Sequence, residues 1–91
     1  MLTVDHDPRA QRLSTQLEGE RGVLDYELHG NVMSITHTHV APPIEGRGVA
    51  AELMRTALEL ASTHGWTVRP ICSYAVAYMQ RHARKDAGGA G

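Results

Sequence analysis

Val23-Leu24-Asp25-Tyr26-Glu27-Leu28-His29-Gly30-Asn31-Val32-Met33-Ser34-Ile35-Thr36-His37-Thr38 alternates apolar and polar side chains on both sides of Gly30-Asn31. Gly at the first central position suits a tight type II′ turn, and period-2 alternation suits strands with one buried face. Pairing His29 with Val32 places Leu28 opposite Met33, Tyr26 opposite Ile35 and Leu24 opposite His37 on one face. The other face then carries Glu27/Ser34, Asp25/Thr36 and Val23/Thr38. A one-residue slip would mix the two sets, so the pattern specifies its own register. Upstream, Leu13, Thr15 and Leu17 alternate with Arg12, Ser14 and Gln16, and the turn-rich run Glu18–Gly22 leads into the hairpin. A three-stranded antiparallel meander is expected.

Pro42-Pro43 ends the third strand, because proline cannot donate to a ladder. After Gly48 the period changes. Val49, Leu53, Ala57 and Leu60 form one helical stripe, widened by Ala50, Met54, Leu58 and Ala61, with Glu52, Arg55, Glu59 and Ser62 opposite. Gly65 closes this helix. Trp66–Arg69 reads as a fourth strand stopped by Pro70, and Ser73 can cap a second helix from Tyr74 to about Arg84. On that helix Tyr74, Tyr78 and His82 share a face. The order β-β-β-α-β-α predicts an α+β fold, a mostly antiparallel sheet with two helices on one face.

Ninety-one residues, 42% of them hydrophobic and 21% charged, make one domain. We expect it to span residues 10–84, between a flexible N-terminal segment at 1–9 and a disordered tail at 85–91. One Trp, three Tyr and no Phe leave the core to aliphatic side chains and Met. A formal charge of -1 argues against a nucleic-acid partner, which needs a basic surface for phosphates. A single Cys excludes an internal disulfide framework and a Cys-rich zinc site, and points to a reducing, cytoplasmic setting. No run approaches the roughly 20 apolar residues of a membrane span, and Met1–Pro8 lacks the basic and apolar regions of a signal peptide. No membrane partner is expected.

Glu45-Gly46-Arg47-Gly48-Val49-Ala50 joins a strand to the strong helix. Backbone N–H groups at that N-terminus lack intrahelical partners and sit at the positive end of the macrodipole. Two glycines allow close approach, and Arg47 adds charge, so a phosphate or pyrophosphate fits here. A flexible linker with Gly at the N-cap is the plainer reading of the same residues. The run is neither a Walker A loop nor a full Gly-x-Gly-x-x-Gly fingerprint.

Gly46-Arg47-Gly48-Val49-Ala50 resembles the Arg/Gln-x-x-Gly-x-Gly/Ala signature of the GNAT superfamily of acetyl-CoA-dependent N-acetyltransferases. Ile35-Thr36-His37-Thr38-His39-Val40 before it, and Pro70-Ile71-Cys72-Ser73-Tyr74 with Tyr78 and His82 after it, resemble the short single-domain branch often called YjdJ-type. The three motifs occur in order, and the resemblance covers roughly residues 10–84, nearly the whole domain. The resemblance implies that Gly46, Arg47, Gly48, Val49 and Ala50 hold the pyrophosphate of coenzyme A. It implies that the third strand, through His39 and Val40, pairs with the pantetheine arm, and that Tyr74 and Tyr78 complete the cofactor site. Glu45 stands where the superfamily favours Arg or Gln, and a carboxylate facing pyrophosphate would weaken binding.

Cys72 is either an inert packing residue or, at the start of the second helix, an accessible thiolate. In the second case it takes the acetyl group or protonates the departing sulfur. His37 and His39 alternate onto the face of Met33 and Ile35. A metal pair would need further ligands that the sequence does not supply, so no metal is expected. The resemblance makes His37 a candidate base for the incoming ammonium. It therefore implies transfer of an acetyl group from acetyl-CoA to a primary amine, with Cys72 and His37 catalytic, by a monomer or weak homodimer. Leu17–Val23 is too short for the helices that wall the acceptor site in full-length members, so the acceptor side should be open. A non-catalytic coenzyme A-binding or protein-interaction module is the alternative.

Overall fold

The structure, a computed structural model, describes residues 2–90. Its five-stranded sheet follows chain order: β1 (Asp5–Asp7), β2 (Arg12–Leu17), β3 (Glu20–His29), β4 (Val32–Val40) and β5 (Thr67–Pro70). Pairing is antiparallel from β1 to β4 and parallel between β4 and β5. Helix α1 (Val49–His64) crosses over between β4 and β5, and α2 (Ser73–Ala90) follows β5. This is the expected α+β architecture, with one added strand.

That strand lies within the segment expected to be flexible. Asp5, His6 and Asp7 pair with Ser14, Leu13 and Arg12. Two side chains hold the segment down: His6 Nε2 shares a 2.6 Å hydrogen bond with the Tyr26 hydroxyl, and Thr15 Oγ1 donates to the Thr3 carbonyl at 2.6 Å. All three β1 residues are exposed, so no hydrophobic alternation announces the strand. At the other end, α2 extends through Ala90, past the end expected near Arg84, even though it takes in Gly88 and Gly89. Gly91 of the expected tail lies outside the described residues.

The core lies between the sheet and the helices. Leu13, Leu24, Tyr26, Met33 and Ile35 meet the buried face of α1, formed by Val49, Leu53, Met54, Ala57 and Ala61, and α2 adds Ala75 and Tyr78. Gly65, in the left-handed conformation, closes α1 by donating to the Ala61 and Ser62 carbonyls. Gly22 on β3 decides how closely α1 can start against the sheet. A Cβ there would stand 2.6 Å from Val49 Cγ1, the first residue of α1. Gly22→Ala should therefore destabilise the fold by about 1–3 kcal/mol, as overpacking does. Equilibrium urea unfolding measures it, and adding Val49→Ala to the same chain should recover part of the loss.

Candidate active site

The site begins with an irregularity in β4. Tyr26 pairs with Ile35 and Asp25 pairs with His37, so Thr36 is an extra residue, a β-bulge. The expected register holds from His29/Val32 to Tyr26/Ile35 and then slips by one, with Leu24 opposite Thr38 rather than His37. Parity inverts with it. Met33 and Ile35 face the helices before the bulge, and Thr38 and Val40 do so after it, while His37 and His39 turn to the helix-free face and are exposed. Their rings are nearly parallel, with centroids 6.3 Å apart. The two histidines thus do not share a face with Met33 and Ile35. No glycine or proline in Ile35-Thr36-His37 signals the bulge.

The bulge also marks where β4 leaves β5. Their parallel pairing ends at Ile35/Pro70, and the Ile35 carbonyl accepts the N–H groups of Ile71 at 2.9 Å and Cys72 at 3.1 Å. Beyond it the chain turns into α2. On its other edge β4 stays paired with β3 through His37 and His39, and the Ala41 N–H donates to the Arg21 carbonyl at 3.0 Å. Alternation along the strand then turns the N–H and C=O groups of Thr38 and Val40 away from β3, into the gap left by β5.

A groove of about 480 Å³ occupies this gap. His39 and Val40 contribute from β4, Gly46 and Gly48 from the connecting loop, Val49 and Ala50 from α1, and Tyr74 from α2. Gly48 is the N-cap of α1 at φ 82°, a conformation that favours glycine, and no side chain caps it. The first intrahelical bond runs from the Glu52 N–H to the Gly48 carbonyl at 3.1 Å. The N–H groups from Gly48 to Ala51 therefore have no partner within the helix, and all four residues line the groove. Amide donors at one end and a free strand edge along the side suit an extended ligand with a phosphorylated end.

Three lining residues did not stand out in the sequence: Thr38, Ile44 and Ala51. Thr38 would have emerged had the bulge been legible, because its two neighbours point the other way. Glu45 lines the groove as well. Arg47, by contrast, is not part of the lining; its Nη2 lies 3.1 Å from Glu18 Oε2. Tyr78 is buried behind Tyr74, with ring centroids 6.2 Å apart, and stacks on His82 at 4.0 Å. It supports the wall without lining it. Burial pushes the Tyr74 phenol above its ordinary pKa, so at neutral pH it is a hydroxyl donor.

Cys72 is not part of the groove lining either; it stands where β4 and β5 part, beside Thr38, which is. The Val76 N–H donates to its carbonyl at 3.0 Å, so Cys72, and not Ser73, occupies the N-cap position of α2. Its Sγ is half-buried and lies 3.5 Å from Thr38 Oγ1. His37 lies on the opposite, helix-free face, across from Asp25. Asp25 is gripped by Arg12, with Nε 2.6 Å from Oδ1 and Nη2 3.2 Å from Oδ2. The Arg12 hydrogen bonds hold the Asp25 carboxyl below its ordinary pKa, with a smaller electrostatic contribution from His37. Among the described residues no three His, Cys, Asp or Glu side chains gather to hold a metal ion.

The model of the GCN5-related N-acetyl-transferase family matches residues 12–87. Among curated proteins, the chain is similar to Protein NATD1 of Homo sapiens, 30% identical over 84 residues covering 89% of this chain and 74% of the relative. It is similar to Protein NATD1 of Mus musculus at 30% identity, covering 89% of this chain and 76% of the relative. The Gallus gallus protein of the same name is 29% identical with the same coverage of 89% and 76%.

The Arg12–Asp25 pair gives the site's helix-free face a pH dependence whose sign is fixed. A carboxylate with a depressed folded-state pKa contributes stability above its ordinary value of 3.8, lost as pH falls through the depressed one. Arg12→Gln should therefore lower stability at pH 7, and the deficit should shrink at pH 3, as read by urea unfolding at both pH values.

Proposed function

The chain belongs to the GCN5-related N-acetyl-transferase family, and we propose that it moves an acetyl group from acetyl-CoA to a primary amine. The observation that carries this reading is the divergence of β4 from β5, which leaves the edge of Thr38 and Val40 free beside the uncapped start of α1. Apart from the Glu45 carboxylate, the groups lining the groove suit such a ligand in chemistry. The N–H groups of Gly48–Ala51 would receive the pyrophosphate, the β4 edge would hydrogen-bond the amide-rich pantetheine arm, and Tyr74 would cover it.

The thioester would lie where the groove meets Cys72. There an outward N–H of β4 can donate to the carbonyl oxygen as it gains negative charge, the polarisation on which acyl transfer depends. The donor fills the helix side of the sheet, so the amine would approach from the helix-free face, where His37 is exposed. The exposed His37 imidazole can take the ammonium proton. The free amine attacks the thioester carbonyl and the carbon–sulfur bond breaks; the Cys72 S–H protonates the departing sulfur, the new amide nitrogen loses its second proton to solvent, and the Cys72 thiolate recovers a proton from solvent. Donor and acceptor then occupy opposite faces at once, which favours direct attack over an acetylated Cys72. Holding both reactants in place supplies much of the acceleration.

Incubation with acetyl-CoA and a panel of primary amines, followed by mass spectrometry, tests this reading. Acetylated amine is expected, and Cys72→Ala should slow its formation by about a hundredfold or more, as loss of a general acid does. Full activity in Cys72→Ala would remove Cys72 from the mechanism, and acetyl found on Cys72 would replace direct attack by a two-step route.

A further inference from the structure

Arg47 is the only cation of the Glu45–Ala50 loop, and among the described residues no Lys or Arg lines the groove. A pyrophosphate held there would draw its positive charge from backbone amides and from Arg47. Yet Arg47 is engaged elsewhere, its Nη2 held 3.1 Å from Glu18 Oε2. Glu18 comes from the tight turn joining β2 to β3, whose closing pair is Leu17/Glu20. That turn adopts positive φ at both central residues, 53° at Glu18 and 77° at Gly19. Glu is a poor occupant of the first position, where Asn, Asp or Gly avoids the steric cost of the left-handed region. The turn geometry alone does not call for glutamate. What the glutamate supplies is a carboxylate within reach of Arg47.

We infer that Glu18 is a latch on the donor site, which holds the Arg47 guanidinium out of the groove and sets how tightly a phosphorylated acyl donor is bound. The inference rests on the coenzyme A reading above. Arg47 has one planar guanidinium to offer, and a phosphate oxygen and the Glu18 carboxylate compete for it. Glu45 of the same loop sets a further carboxylate on the groove itself. Donor binding therefore includes breaking the Glu18–Arg47 pair. Because both partners are largely exposed, the competition is modest and responds to ionic strength.

The test is a double-mutant cycle in coenzyme A affinity, measured by calorimetry at low salt on the full chain with Glu18→Gln, Arg47→Gln and the double variant. Glu18→Gln should tighten coenzyme A about two- to fivefold, the scale of an exposed ion pair released. In the Arg47→Gln background the same change should do much less, because there is no longer a guanidinium to release. Pantetheine, which lacks phosphate, should bind wild type and Glu18→Gln alike. Unchanged or weaker coenzyme A binding in Glu18→Gln overturns the latch while leaving the donor site intact. An equal gain in both backgrounds overturns it too, reducing Glu18 to a long-range repulsion. If none of the four proteins binds coenzyme A, the donor reading fails and the latch with it.

Discussion

The extra residue at Thr36 is the constraint on which the functional part of the structure depends. A strand paired on both sides has no main-chain groups to offer a ligand. Here the bulge bends β4 away from β5 after Ile35 while leaving it paired to β3, so one strand remains anchored and still exposes an edge. The same residue inverts the side-chain alternation, bringing Thr38 and Val40 to the helix side and sending His37 and His39 to the open face. A single inserted residue thus divides the strand into a structural half and a half that serves the groove.

The packing around the bulge keeps that edge accessible. Helix α1 starts low against the sheet because Gly22 presents no side chain to Val49, and its uncapped amides consequently come level with the end of β4. The parallel pairing of β4 with β5 supplies the other wall. Parallel strands require a crossover, α1 provides it, and the chain leaving β5 turns directly into α2 with Cys72 at the corner. Tyr74 then follows from helical geometry, and Tyr78, one turn on, sits buried behind it.

Much of this was legible in the sequence, because the legible parts rest on periodicity. The hairpin register from His29/Val32 to Tyr26/Ile35, the buried stripe of α1 and its glycine end all follow from spacing that burial enforces. What escaped has no periodic signal. The bulge sits among Ile, Thr and His, residues at home in a regular strand, so the faces of His37 and His39 were misplaced and Thr38 passed unnoticed between them. The edge strand Asp5–Asp7 is exposed throughout, so its ladder to β2 and the His6–Tyr26 hydrogen bond leave no hydrophobic pattern to read. Arg47 was legible as a charge in a phosphate loop, but its partner Glu18 lies 29 positions away in a run whose composition marked only a turn.

The central claim is that coenzyme A lies along the outward edge of β4 and on the first turn of α1. Residue-resolved amide hydrogen exchange, with and without coenzyme A, tests it most directly. The account predicts added protection at the Thr38, Val40 and Gly48–Ala51 amides, with His37 and His39 unchanged because they already face β3. Protection appearing at His37 and His39 instead, or nowhere along β4 and α1 at saturating coenzyme A, would contradict it.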